Sequence, residues 1–282
     1  MSPSEQPASR TFDGGREDPE LPFAGMPGRT FRKAGDNAPF GYFAWEAAGL
    51  RWLAAAPSGA AVVPVLEVGE DFLDLERLVP RNPTRAQCEA FGATLARTHA
   101  AGAPAYGSPP DDWRGDGWLG PLSDPLPLPL HPVASWGEFL ARERLAPMVA
   151  AGLRNGIWDE RDVATFGRVM ARLERGEQDT AEPAARLHGD LWAGNIVWTE
   201  QAGVLIDPAA HGGHREADLA FLALFPPPHL DAILGAYHDE RPLADGWRDR
   251  VSLHQLHPLM LHAVLYGGRY VEHSRAVARR WA

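Results

Sequence analysis

The run His188-Gly189-Asp190-Leu191-Trp192-Ala193-Gly194-Asn195, with Asp207 a little further on, holds the residue types that phosphoryl transfer asks for. That reaction leaves a protein little covalent work. Metal ions must be held on the phosphates and a hydroxyl aimed in line with the leaving group, so hard oxygen ligands for Mg2+ and one carboxylate beside the hydroxyl suffice. The spacing fits a loop of the form H-x-D-x-x-x-x-N whose Asp is the base and whose Asn is one metal ligand, a later Asp being the second. Asp190 is therefore read as the catalytic base, and Asn195 and Asp207 as the Mg2+ ligands. His188 reads as an anchor of the loop. Asp218, in a helical stretch after the site, is expected to hydrogen-bond the loop from below.

These residues need an element that gathers them. Ile196-Val197-Trp198 and Val204-Leu205-Ile206 are short apolar runs of strand type, separated by Thr199-Glu200-Gln201-Ala202-Gly203, a turn containing Gly. A hairpin built from them brings Asn195 and Asp207 to its open end. The plainer alternative is a polar surface loop before an ordinary hairpin, since His, Asp and Asn are common in turns.

The motif resembles the fructosamine kinase (ketosamine-3-kinase) family of the protein-kinase-like superfamily. The likeness is carried by His188-Gly189-Asp190-Leu191-Trp192-x-Gly194-Asn195 and by Ile206-Asp207-Pro208-Ala209-Ala210-x-Gly212-x-His214-Arg215-Glu216-Ala217-Asp218-Leu219-Ala220. Trp118-Leu119-Gly120-Pro121-Leu122 and Trp136-Gly137-Glu138-Phe139 look like further landmarks, and the likeness runs from about Arg29 to the C-terminus. It implies an α+β bilobal protein-kinase-like fold, with a small mixed N-lobe and a larger, mainly helical C-lobe. It also implies ATP as phosphoryl donor with Mg2+, and as acceptor the 3-hydroxyl of a ketoamine, a ribulosamine or fructosamine on a small amine or a glycated lysine side chain. The 3-phosphate product releases the amine, so the implied role is deglycation repair. Two other readings stay open: an aminoglycoside-type or other small-molecule phosphotransferase on the same scaffold, and a pseudokinase whose phosphate loop has degenerated.

Carried onto the small lobe, the resemblance makes Lys33 of Thr30-Phe31-Arg32-Lys33 the cation on the ATP phosphates and Glu46 its helix partner. Arg32 leaves open which cation points inward. Glu76-Arg77-Leu78 corresponds to the hinge strand whose backbone meets adenine. Trp192, His214 and Trp118 are candidates for the acceptor pocket, Trp192 being equally suited to a core position. The phosphate-covering loop departs from the family pattern. Only Gly14-Gly15 is available, flanked by Asp13, Arg16, Glu17 and Asp18, and carboxylates do not help backbone amides to cradle phosphate.

Composition sets independent bounds. A chain of 282 residues with 45% hydrophobic content can bury a large core in about two lobes. Its 27 Lys and Arg against 37 Asp and Glu give a net charge of −10, which argues against nucleic-acid binding. Cys88 is the single cysteine, so an intramolecular disulfide and a cysteine zinc site are excluded. With neither a signal-peptide pattern nor an apolar run of membrane-spanning length, no membrane association is expected and the default location is cytoplasmic.

Three regions are expected: a poorly structured or atypical segment 1–28, a small lobe 29–79, and a helical lobe 80–282 carrying the catalytic loop. Helical spacing runs over 40–56 and, most clearly, over 84–101 with Thr84 as N-cap and Gly102 as stop. Strands are expected over 62–68 and 72–78, mostly loop over 104–132, and helices over 136–151, 160–174, 216–224 and 230–237. His254, His257 and His262 are read as packing or surface residues rather than metal ligands, because Pro258 interrupts the helix that would align them.

Overall fold

The computed structural model describes residues 29–35 and 38–282. The Gly14-Gly15 loop and the segment 1–28 lie outside them. In the small lobe β1 (Thr30–Ala34) is followed by α1 (Tyr42–Ala54), β2 (Ala61–Val62), β3 (Val65–Val68) and β4 (Phe72–Glu76). β4 lies between β1 and β3 in an antiparallel sheet, with Thr30 opposite Glu76 and Ala34 opposite Phe72. The single strand expected over 62–68 is instead two, because Val63-Pro64 interrupts the ladder. Proline has no N–H to donate, and the chain changes sheets there: β2 pairs in parallel with a strand of the large lobe. That crossing ties the two lobes together beside the site.

The large lobe opens with α2 (Arg85–Ala100), capped by a reciprocal pair in which Thr84 accepts from the Gln87 N–H and Gln87 accepts from Thr84. Gly102 follows the last turn at φ +74°. The Pro-rich stretch over 104–132 contains a two-stranded antiparallel ribbon that composition hid, β5 (Gly117–Leu119) with β6 (Leu126–Leu128). Pro127 is tolerated there because a two-stranded ribbon has free edges. Next comes a continuous helical segment of α3 (Trp136–Phe139), a π-helical turn (Leu140–Leu145) and α4 (Ala146–Arg154), followed by α5 (Glu160–Glu174).

Beyond β7 (Ala185–Leu187), a 3₁₀ turn (Ala193–Asn195) leads into the hairpin β8 (Ile196–Trp198) and β9 (Gly203–Leu205), and β10 (His211–Gly213) returns antiparallel to β7. The chain then runs through α6 (Glu216–Leu224), α7 (Leu230–Glu240), α8 (Trp247–His254), α9 (Leu256–Tyr266) and α10 (Arg269–Trp281). β9 is the strand that β2 joins.

The core is built in contiguous patches. One packs Trp136, Phe139, Leu145, Phe166 and Leu173 against Leu259 and Met260 of α9. A second sets Phe91 and Leu95 of α2 against Ile233 and Tyr237 of α7, and it includes Leu191, Ile196 and Leu205 from the loop and hairpin. A third joins Phe43, Ala47 and Leu50 of α1 to Leu73 and Leu75 of β4 and to Val204 of the hairpin. The hairpin is thus buried against both lobes, which fixes what stands at its open end. No described helix is long and apolar enough to cross a membrane.

Candidate active site

The loop after β7 is held from three directions. Gly189 has φ +82°, and a Cβ there would stand 2.1 Å from the Ala209 carbonyl oxygen, so only glycine lets the two backbones approach. Leu191 is buried in the α2–α7 core. Below the loop, the Asp218 carboxylate accepts from the His188 N–H at 2.8 Å and the Gly189 N–H at 3.0 Å, and faces His99 Nε2 at 3.1 Å. Burial alone would raise this carboxyl, but His99 and the loop amides hold it below the ordinary range. His188 Nε2 donates to the Ile206 carbonyl at 2.8 Å, leaving Nδ1 to accept from the Asp190 N–H at 3.2 Å. The loop therefore hangs on the strand that leads to Asp207.

At the open end of the hairpin, Ile196 pairs with Leu205 and the Ile206 N–H donates to the Asn195 carbonyl. Asn195 Nδ2 donates to the Asp190 carbonyl at 2.8 Å and to the Asp190 carboxylate at 3.0 Å. Burial pushes the Asp190 carboxyl up to about 7; the Asn195 bond opposes the shift, and the charges of Asp207 and Asp218 add to it. Asp207 sits at φ +52°, a strained geometry for a non-glycine residue of the kind found at functional sites.

Lys33, on β1, places Nζ 2.8 and 2.7 Å from the two Glu46 oxygens and 3.0 Å from Asp207 Oδ1. Burial would lower its affinity for a proton, but Glu46 and then Asp207 raise it above the ordinary lysine value. Strand alternation decides the choice between neighbours. Arg32 points to the opposite face, where it makes two 2.7 Å bonds with Asp74 and covers the Phe72 ring. Glu46 is brought to the site by α1, whose Gly49 lies so close to Ala210 that a Cβ would stand 3.1 Å from the alanine methyl.

The remaining candidates are placed differently. At the strand end, the Glu76 and Arg77 N–H groups donate to the Pro64 and Arg29 carbonyls within the small lobe. Trp192 is 39% exposed and meets Phe225 edge-on. Trp118 lies in an aromatic group with Tyr42 and Trp113. His214 is buried, with one ring nitrogen on Thr180 Oγ1 and the other accepting from the Glu216 N–H.

His254 stacks on Trp136 at 4.5 Å, and His262 Nδ1 meets the Pro258 carbonyl. The helix break between these histidines lies at Gln255, not at Pro258, which occupies the first turn of α9 where its missing N–H does no harm. His214, Glu216 and His254 come close enough to hold an ion. Arg250 occupies the Glu216 carboxylate at 2.9 and 2.6 Å, and its positive charge opposes a cation there. The cluster reads as a buried ion-pair network.

Beneath Asp190 a cavity of about 50 Å³, opening toward solvent, is lined by Asp190, Trp136, Phe139, Arg144, His211 and His257 among others. Arg144 went unremarked in the sequence. Its signal is readable: Leu140, Arg144 and Met148 recur at a spacing of four, so a cation interrupts an apolar stripe.

The fructosamine kinase family model matches residues 4–281. This chain belongs to the fructosamine kinase family. A relative in Lactiplantibacillus plantarum, described as a probable ketoamine kinase, is 31% identical over 232 residues, 81% of this chain and 78% of its own. A crystal structure assigned as a fructosamine-3-kinase from Thermobifida fusca is 43% identical, covers 89% of this chain and 85% of its own, and superposes with a TM-score of 0.79. The aminoglycoside phosphotransferase APH(4)-Ia, 17% identical over 86% of this chain and 83% of its own, shares the fold at a TM-score of 0.52. The fold is the α+β bilobal architecture of protein-kinase-like phosphotransferases, and as a fructosamine kinase family member the chain is an ATP-dependent phosphotransferase.

Proposed function

We propose that this fructosamine kinase family member phosphorylates the 3-hydroxyl of a ketoamine, a ribulosamine or fructosamine carried by a small amine or a lysine side chain, and so serves deglycation repair in the cytoplasm. The observation that carries the reading is the convergence of Asp190, Asn195 and Asp207 with the Lys33–Glu46 pair at one cleft, from segments far apart in the chain.

Asp190 acts as the base. It accepts the proton of the acceptor hydroxyl as that oxygen attacks the γ-phosphorus and the bond to the β,γ-bridging oxygen breaks to release ADP, and a carboxyl raised to about 7 is tuned for that proton near neutrality. Lys33, held on its long stem by Glu46, turns its charge to the non-transferred phosphates of ATP. The adenine edge meets the backbone of the Glu76-Arg77-Leu78 strand end.

The donor set suits Mg2+. Asp207 keeps 44% of its side chain exposed beyond its contact with Lys33, and Asn195 spends its amide nitrogen on Asp190, which turns its oxygen elsewhere. Asn195 and Asp207 would hold the ion, which supplies charge neutralisation on the phosphates. Trp192 offers a partly exposed ring as a wall for the sugar.

The test is ADP release from ATP and Mg2+, with and without ribulose-lysine, by the wild type and Asp190→Asn. Release that needs both the ketoamine and Asp190 supports the reading. Release with an aminoglycoside and none with the ketoamine would replace it, and nucleotide binding without transfer to any acceptor would mean a pseudokinase.

A further inference from the structure

The cavity beneath Asp190 is lined by a cation, Arg144, that forms no ion pair among the described residues. Arg144 is 3% exposed, although Arg142 in the same π-helical turn lies at the surface and pairs with Glu138 and Glu174. π-Helical turns are uncommon and recur at functional sites. The guanidinium lies 4.4 Å from the centre of the Phe139 ring, and Nη1 donates to the Pro129 and Glu143 carbonyls at 2.9 Å. Nη2 is buried without a hydrogen-bond partner.

Among the described residues no carboxylate forms an ion pair with Arg144. The acids whose fields reach it, Glu143 and Asp116, face His131 at 2.8 and 3.6 Å. Burial presses the guanidinium down to about 9, far below an ordinary arginine. A buried donor left unsatisfied, and a charge left unpaired, are both strongly unfavourable.

The surrounding groups point the same way. His211 Nδ1 donates to the Ala209 carbonyl, and burial followed by the nearby Arg144 charge keeps the ring neutral, at about 3. The same two influences hold His257 well below the ordinary histidine value. Of the acids lining the cavity, Asp218 is engaged by His99 and the loop amides, and Asp190 is the proposed base. One positive charge and an unpartnered Nη2 therefore belong to a cavity that Asp190 also lines.

We infer that Arg144 receives the carboxylate of the acceptor, so that the preferred ketoamine is a small sugar adduct of a free amino acid. The inference rests on the ketoamine kinase reading and deepens it. A single negative charge matches the single uncompensated guanidinium, whereas a phosphate dianion would bring a second charge and more acceptor oxygens than the one free Nη2 can serve. A neutral amine adduct would leave Arg144 as orphaned as it is without ligand.

The experiment compares ribulose adducts of glycine, glycinamide and aminoethyl phosphate as acceptors for the wild type, Arg144→Gln and Arg144→Lys. For the wild type, KM for the glycine adduct should be about tenfold below that for the glycinamide adduct, with kcat alike, because the pairing is made equally before and during transfer. Arg144→Gln should abolish that difference and Arg144→Lys should keep part of it. Equal KM values for the two glycine-derived adducts would overturn the inference while leaving the kinase reading intact, whether or not the variants fold. Preference for the phosphate adduct would overturn the carboxylate assignment. Turnover of none of the three would remove the ketoamine reading and this inference with it.

Discussion

Lys33, paired with Asp207, and Arg144, in the cavity that Asp190 lines, are both enclosed cations, yet their surroundings push them in opposite directions. Lys33 lies between Glu46 and Asp207 and is held more firmly protonated than a free lysine, whereas Arg144 has no carboxylate partner among the described residues and burial presses it down to about 9. Of the two carboxylates, Asp207 pairs with Lys33, while Asp190 takes a hydrogen bond from the Asn195 amide and is raised by burial to about 7. The Lys33 side is neutralised within the protein, so it is pre-organised structure. The side facing the cavity carries separated, unpaired charges that a substrate can complete. Burial moves each group toward its neutral form, and a facing opposite charge reverses that direction.

The sharpest way to break the comparison is to remove Asp190. Asp190→Asn should lower kcat by about a thousandfold or more in an ADP-release assay, a loss of the order expected for a general base. The same change should raise the melting temperature at pH 8. A carboxyl whose folded value lies above its unfolded one supports the fold fully below about 4, and that contribution is lost as pH rises through about 7. The wild type and variant should therefore converge in thermal scans at pH 4, and a gap independent of pH would count against the raised carboxyl.

Lys33→Met should reduce kcat/KM by roughly a hundredfold and also destabilise the protein, because Glu46 would be buried with its partner gone, at about 3 kcal/mol. Adding Glu46→Gln should recover stability in a denaturant titration without recovering activity. Recovery of both would mean that the pair is structural alone.

In the wild type, kcat/KM should fall tenfold per pH unit below about 7 as Asp190 takes up its proton. A profile flat down to pH 5 would remove Asp190 as the base. The smallest effect belongs to Trp192→Ala. The acceptor KM should rise about fivefold from lost ring contact, with stability nearly unchanged because the ring is 39% exposed.

Much of this was legible in the chain. The capping pair Thr84 and Gln87 and the apolar stripe of Cys88, Phe91, Leu95 and Thr98 describe α2 closely, since local hydrogen bonds and a 3.6-residue period are written in adjacent residues. The hairpin followed from two apolar runs around a Gly-containing turn. The division of 62–68 between two sheets was not legible, because Pro64 marks a break without saying which strand takes each half. The ribbon of Gly117–Leu119 with Leu126–Leu128 was hidden for a related reason: its pairing joins residues that look like loop taken singly.

By itself, the sequence determined the residue types at the site, the helix and hairpin that carry them, and the family. Those depend on short-range pattern and on motif spacing. Only the tertiary structure decided that Lys33 rather than Arg32 turns inward, and that Arg144 is buried without a carboxylate partner among the described residues. Each of these is a matter of which distant groups share one low-dielectric space, and the direction of a charge's perturbation is set by those neighbours rather than by its own residue type.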